Sequence, residues 1–248
     1  MSISRKYGRT SHYLFSEGTT SDDRLNHDWW EDVTAIDETI DTEKMDGENS
    51  CLNDIGVFAR SHAAPTRHVW SEHLKVKHGL IKNDLASEGI EIFGENMYAI
   101  HSILYPELTD HFYVFGVRKA DMWLSWEEVK WYTEFFDMKT VPELGIIKPS
   151  NFTQEEFKQR ILNIVKEPST FGSYNHLGIN AGEPCSMEGL VTRNINEFLA
   201  TEKGGISSEN VFKWVRKGHV QTDEHWTKGW KRAELNHERL AITKSEKL

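Results

Sequence analysis

The chain has 248 residues, 38% of them hydrophobic and 27% charged, which suits one large or two small globular domains. Its formal net charge of −10 argues against a protein that simply coats nucleic acid, although an enzyme with a local basic groove stays compatible. Without a long apolar segment or a signal-peptide pattern, we expect a cytoplasmic protein that makes no membrane contact. Cys51 and Cys185 lie far apart, which disfavours a disulfide framework or zinc site.

Strand signals recur along the chain as short β-branched or apolar runs next to turn residues. In chain order these runs are Glu38–Met45, Ser50–Asn53, Val57–Arg60, Ile90–Phe93 and Phe112–Val117. Glu188–Arg193 and Asn210–Val215 are two further short structured runs before the charged tail. The first run stops at the turn signal Asp46-Gly47-Glu48-Asn49, and the next two predict a hairpin.

Helical spacing predicts a helix over 70–88, and cap signals predict two more. Ser125 is placed to cap a helix that runs to about Phe136, and Thr153 with Glu156 forms a capping-box pattern before a helix to Val165. The charged tail predicts one mostly solvated helix. Because strands dominate the centre, we expect an α+β fold with antiparallel sheets and peripheral helices.

The sequence Lys44-Met45-Asp46-Gly47 closes the first predicted strand and could carry chemistry. A lysine buried there can lose its proton and become a nucleophile, while Gly47 would let the backbone approach a phosphate. This short pattern also occurs by chance, so a surface turn is the plain alternative for these four residues alone.

Six sequence elements between positions 44 and 216 favour the catalytic interpretation over a surface turn, because they occur in the order found in one enzyme superfamily. They are Lys44–Asn49, Phe58–Ser61, Phe93–Glu95 with Tyr98, Phe112–Val117, Glu188–Arg193 and Lys213–Arg216. This ordered set resembles the motifs of the covalent nucleotidyltransferases, which comprise DNA ligases, RNA ligases and mRNA capping enzymes. Taken singly, each element has a structural explanation, such as a core phenylalanine or a solvated carboxylate.

The resemblance implies roles for the residues of the first motif. Lys44 would attack ATP and carry AMP in a covalent bond. Asp46 and Gly47 would complete the nucleotide site, and Asn49 would act in the sealing steps.

Three residues further along the chain are implied to contact other parts of the nucleotide. Glu95 would accept a hydrogen bond from the ribose hydroxyl, and Phe115 would stack on adenine. Glu188 would bind or orient Mg²⁺ or Mn²⁺, which prefer hard oxygen ligands.

Cations are implied to hold the phosphates of ATP. Arg60 is one, and the last motif supplies another from Lys213 or Arg216. That motif is usually Lys-x-Lys in the superfamily, whereas this chain has Lys213-Trp214-Val215-Arg216-Lys217. Which of the three cations faces the phosphate stays open.

Three further segments resemble a group of bacterial and phage RNA ligase-like proteins. They are Lys6–Thr10, Gly94–Ser102 and His219–Trp226. The resemblance implies an ATP-dependent RNA ligase that joins 5′-phosphate and 3′-hydroxyl ends in RNA repair, with a polynucleotide kinase or phosphatase as a candidate partner. We expect a ligase-type, ATP-grasp-like nucleotidyltransferase domain, two antiparallel sheets flanking a nucleotide cleft.

The domain expectation is an adenylyltransferase domain over 1–226, a short charged tail over 227–248, and no OB domain. His219 and His225 make a poor metal site because no cysteine or third histidine stands near them in the sequence. Two alternatives remain. One is a compact DNA ligase or a GTP-using capping guanylyltransferase, and the other is a partner-dependent nucleic-acid-binding subunit.

Overall fold

The computed structural model describes residues 6–61, 63–217 and 229–245. The strands in these ranges are β1 (Ser11–Tyr13), β2 (Leu25–Asn26), β3 (Thr39–Lys44), β4 (Glu48–Leu52), β5 (Val57–Ala59), β6 (Ile90–Asn96), β7 (Ile103–Leu104), β8 (Phe112–Lys119), β9 (Met122–Trp123), β10 (Lys139–Thr140), β11 (Glu143–Ile147), β12 (Tyr174–Asn175), β13 (Gly189–Asn194), β14 (Phe198–Leu199) and β15 (Val211–Val215). The α-helices there are α1 (Trp29–Thr34), α2 (Glu72–Glu88), α3 (Trp126–Phe135), α4 (Gln154–Ile164) and α5 (Asn236–Ser245). No helix in these ranges combines the length and apolar character needed to cross a membrane.

Two sheets form the body of the molecule. The six-stranded sheet has the order β11-β3-β13-β15-β1-β2, and the seven-stranded sheet runs β14-β9-β8-β6-β4-β5 with β10 beside β8. Pairing is antiparallel except at β15–β1, β1–β2 and β8–β10. The predicted α+β fold with two mainly antiparallel sheets and peripheral helices is therefore confirmed.

The six-stranded sheet buries aromatic side chains on its outer face, against α1 and α4. Phe212 and Trp214 of β15 pack there with Phe157 of α4. Because successive strand residues point to opposite faces, Lys213 between them lies on the inner face. On that inner face Val191 packs against the core of the seven-stranded sheet, so charged residues of β3 and β15 lie between the two sheets.

Both predicted helix caps are present. Ser125 Oγ accepts from the Glu128 backbone N–H at 3.3 Å, and Thr153 Oγ1 accepts from the Glu156 N–H at 3.3 Å. In each case the glutamate side chain also accepts from the backbone N–H of the cap residue. These local signals set the first residues of α3 and α4.

The two ends of the chain hold structure that local patterns did not predict. The N-terminal part contributes β1, which pairs with β15 about 200 positions away. Near the other end, Trp230 packs on Trp70 and Tyr98, and the backbone of Ala233 donates to Tyr98 O at 2.8 Å. The predicted tail helix corresponds to α5, but the residues before it are docked on the body rather than solvated.

Candidate active site

Lys44 and Glu188 face each other at one end of the six-stranded sheet. Lys44 is the last residue of β3 and lies opposite Gly189, the first residue of β13, in the antiparallel register. Glu188 directly precedes that glycine and is fully buried. The Lys44 ammonium contacts Glu188 Oε1, so two of the predicted site residues form an ion pair although they lie 144 positions apart.

The Lys44 amine does not become neutral through burial. Burial lowers the pKa of Lys44, but the carboxylates of Glu188, Glu95 and Asp46 outweigh it and raise the pKa above its ordinary value. The sequence indicated that a lysine buried here could lose its proton, whereas the surrounding carboxylates favour the protonated form. In this arrangement Lys44 is an ammonium held by a surrounding group of acids.

Glu95 on β6 completes that group of acids. It lies opposite Asn49 of β4 in the strand register, and its Oε1 accepts from the Gly47 backbone N–H at 3.2 Å. Burial raises the pKa of Glu95 to about 8; Lys44 opposes this shift, whereas Glu188 and Asp46 add to it. Near neutral pH this carboxyl can therefore either donate or accept a hydrogen bond.

Gly47 is required by the protein's own packing. A Cβ at this position would lie 2.6 Å from Asn96 O and 2.7 Å from Met97 Sδ, distances that real Cβ atoms essentially never show. The turn after Lys44 therefore presses directly against the end of β6. This close approach is a reason for glycine in addition to the phosphate approach expected from the sequence.

Asp46 links the nucleophile turn to the segment before β7. Its Oδ2 accepts from Ser102 N at 2.8 Å, Ser102 Oγ at 2.6 Å and Ile103 N at 2.9 Å. The Asp46 backbone N–H donates to Tyr105 Oη at 3.0 Å. These contacts give the Asp46 carboxylate a bracing function, and its expected nucleotide contact stays a prediction.

The three candidate cations of the last motif lie in different surroundings. Lys213 is close enough to Lys44, Glu188 and Arg60 for their charges to affect it, and burial lowers its pKa to about 8. Arg216 Nη2 donates to Asn175 Oδ1 at 3.3 Å, beside the small β7–β12 sheet. Lys217 is exposed. Lys213 is therefore coupled electrostatically to the Lys44–Glu188 pair.

The remaining predicted residues surround this centre. Arg60 is exposed just after β5, and its charge contributes to lowering the pKa of Lys213. Phe115 is half-buried, and its ring meets that of Tyr7 edge-on at a centroid distance of 4.9 Å. The buried Oδ1 of Asn49 has no hydrogen-bond partner among the described residues, which is unusual outside functional sites.

Two residues near the site were missed by sequence reasoning. Tyr7 lies in the predicted Lys6–Thr10 resemblance, but no role was assigned to it; its ring packs on Phe93 and Phe115. Asp23 was assigned no role from the sequence, yet its Oδ1 lies 3.7 Å from Lys213 Nζ. No local signal identifies either contact, because both join segments far apart in the chain. His219 and His225 lie outside the described residues.

The acidic residues fit a divalent cation that is held jointly with phosphates. The described part of the chain contains no cluster of three or more metal-binding side chains. Mg²⁺ commonly takes only one or two carboxylates and completes its shell with water and substrate phosphates. Glu188 supplies one such carboxylate, and its charge adds to the burial that raises the pKa of Glu95; a bound cation would offset that negative charge.

The family profile for RNA ligases matches residues 37–215, which include every strand from β3 to β15. The chain belongs to the RNA ligase family. The sequence-based assignment to this family is thereby confirmed, and among the motif-bearing alternatives the match favours RNA ligases over DNA ligases and capping enzymes.

Solved structures of other RNA ligases share the fold. A lysine-to-alanine mutant of Naegleria gruberi RNA ligase, solved with ATP and Mn, has a TM-score of 0.51 and 17% identity, covering 85% of this chain and 60% of that one. An aspartate-to-alanine mutant of the same ligase without ligand gives 0.50 and 17%, covering 88% and 61%. This chain thus spans about three fifths of their length. No curated protein sequence matches it significantly.

Proposed function

We propose that this RNA ligase family member is an ATP-dependent RNA ligase that works through a lysine–AMP intermediate. It would transfer AMP from ATP to Lys44, then to an RNA 5′-phosphate, and finally release AMP as a 3′-hydroxyl attacks. The observation that carries the proposal is the convergence of Lys44, Glu188 and Lys213 at one end of the six-stranded sheet. The profile match covers all three positions.

In the first step Lys44 Nζ attacks the α-phosphorus of ATP, and the bond to pyrophosphate breaks. The attacking amine must be neutral, so the proton that Glu188 now stabilises on Lys44 must leave first. Glu188 would hold Mg²⁺ or Mn²⁺, which would supply positive charge against the phosphates. The Naegleria structure with ATP and Mn supports this choice of cofactors.

The surrounding residues would position the nucleotide rather than react with it. Lys213 and Arg60 would hold the phosphates, and Glu95 would bind the ribose. Phe115, with Tyr7 at its edge, would contact the base.

Two predicted residues fit later steps better. The unsatisfied Oδ1 of Asn49 is available to a substrate group in the sealing steps. Arg216 lies toward Asn175 and is a weaker candidate for the triphosphate than Lys213. The substrates would be RNA 5′-phosphate and 3′-hydroxyl ends, and a kinase or phosphatase partner could prepare them. The setting would be the cytoplasm.

A joining assay with three substrates tests this proposal. Purified protein with ATP and Mg²⁺ should join 5′-phosphorylated RNA, and it should join a matched DNA strand poorly. The Lys44→Met variant should fail on the same RNA but still join RNA that already carries AMP on its 5′-phosphate, because that step needs no nucleophilic lysine. Loss of joining on both RNAs would point to misfolding, which circular dichroism checks. Wild-type joining of DNA in preference to RNA would contradict the proposal.

A further inference from the structure

Asp23 contacts a cation of the proposed nucleotide site from outside the matched motifs. It lies in the turn before β2, upstream of the profile match at 37–215. Its Oδ1 is 3.7 Å from Lys213 Nζ and 3.3 Å from His12 Nε2. A single carboxylate oxygen therefore faces both a lysine and a histidine.

The turn holds the Asp23 carboxylate in a fixed orientation. Thr20 donates to Asp23 Oδ2 through its backbone N–H and its Oγ1, each at 3.0 Å, and the Asp23 N–H donates to Thr20 O at 3.1 Å. Oδ2 is thus used within the turn. Oδ1 is left to face Lys213 and His12.

His12 adds no charge of its own near neutral pH. It lies opposite Lys213 in the parallel β1–β15 register, and its Nδ1 is 2.8 Å from Ser16 Oγ. Burial, followed by the Lys213 charge, lowers the pKa of His12 to about 4. The negative charge of Asp23 is therefore balanced by Lys213 rather than by the imidazole.

Lys213 needs such a partner because its other surroundings favour the loss of its proton. Burial and the charges of Lys44 and Arg60 all lower the pKa of Lys213, whereas Asp23 and Glu188 raise it. A neutral lysine would not bind phosphate as an ion. If Glu188 is occupied by Lys44 and by a metal ion, Asp23 is the carboxylate that remains to support the Lys213 ammonium.

We propose that Asp23 is a positioning residue for ATP, which keeps the Lys213 ammonium charged and directed toward the nucleotide bound at Lys44. The turn 20–23 then acts on the nucleotide site through Lys213. This inference rests on the proposed function, since it assigns Lys213 to the triphosphate.

A double-mutant cycle tests this inference. ATP affinity is measured by calorimetry without turnover, and KM and kcat are measured for self-adenylylation. The Asp23→Asn variant should raise Kd and KM for ATP about tenfold and change kcat less. Asp23→Glu should restore much of the affinity. The matched control is Asp22→Asn, which removes an exposed charge one position away in the same loop and should change neither constant.

Measuring Asp23→Asn in a Lys213→Ala protein distinguishes a positioning role of Asp23 from damage to its loop. In that background Asp23→Asn should cause no further loss of ATP affinity, because its target is already gone. An equal loss with and without Lys213, or wild-type affinity in Asp23→Asn, would overturn the inference. If the wild type binds ATP but never forms an adenylylated protein, the proposed function fails, while the binding cycle still decides the role of Asp23.

Discussion

Two buried ion pairs each include a residue of β3, and these two residues lie three positions apart. The two pairs have different roles. Asp41 points to the outer face of the six-stranded sheet, where it contacts Arg160 of α4 and accepts from Thr192 Oγ1 at 2.5 Å. Lys44 lies on the opposite, inner face of the same sheet and contacts Glu188. Asp41 and Glu188 are both fully buried.

The two pairs differ in how completely the charges around them cancel. Around Asp41, one guanidinium and one hydroxyl offset one carboxylate, and burial still raises the pKa of Asp41. Around Lys44, the carboxyls of Glu188, Glu95 and Asp46 act on one ammonium, with Lys213 nearby. The first pair is a closed structural contact that joins α4 to the sheet. The second has surplus charge, as expected where a phosphate and a metal ion bind.

The largest effect on activity should come from removing the negative charge of Glu188 in the Lys44–Glu188 pair. Glu188→Gln keeps the shape of the side chain but removes its charge, and we expect self-adenylylation to fall by about 10²- to 10³-fold. Rapid-quench measurement with labelled ATP reports the rate, and thermal melting checks the fold. Adenylylation at the wild-type rate would show that the Glu188 charge is not needed.

Breaking the first pair should cost stability and spare the chemistry. Arg160→Leu leaves Asp41 buried and unpaired, so we expect the free energy of unfolding to fall by about 3 kcal/mol. Urea unfolding measures this loss. Lys158→Leu removes an exposed i,i+3 pair on the same helix and should change stability by less than about 0.5 kcal/mol. An Arg160→Leu protein as stable as the control would contradict a structural role for this pair.

A further effect should appear in the pH dependence of stability. The native pKa of Glu95 is about 8, above its ordinary value, so between pH 4.5 and 8 the native state keeps a proton that the unfolded state releases. The free energy of unfolding should therefore decrease as pH rises through this window. Glu95→Gln should remove that decrease, so its stability relative to wild type should be higher at pH 8 than at pH 5.

The comparison of Glu95→Gln with wild type should therefore be made at pH 5 as well as at pH 8. Chemical unfolding at both pH values measures the difference. A stability difference that is equal at pH 5 and pH 8 would assign the effect of the variant to packing and not to the charge of Glu95.

Local patterns predicted the parts of this structure that depend on neighbours in the chain. The capping boxes at Ser125 and Thr153, the strand that ends at Lys44 and the ordered motifs are of this kind. The family assignment followed from the motif order.

Other features depend on contacts that no short segment encodes. Asp23 meets Lys213 because β1 and β2 add to the far edge of the sheet, and the raised pKa of Lys44 is the sum of three carboxylates from separate strands and turns. Trp230 docks on Trp70 across about 160 positions. These features could be identified only from the three-dimensional structure.

The most direct test of the central claim is to map AMP on the protein itself. Wild-type protein is stripped of bound nucleotide, incubated with ATP and Mg²⁺, and analysed by intact mass and peptide mass spectrometry. We expect one AMP per chain, attached at Lys44, and none in Lys44→Met or with GTP in place of ATP. AMP on a different lysine, or a folded wild-type protein that acquires no AMP, would contradict the account.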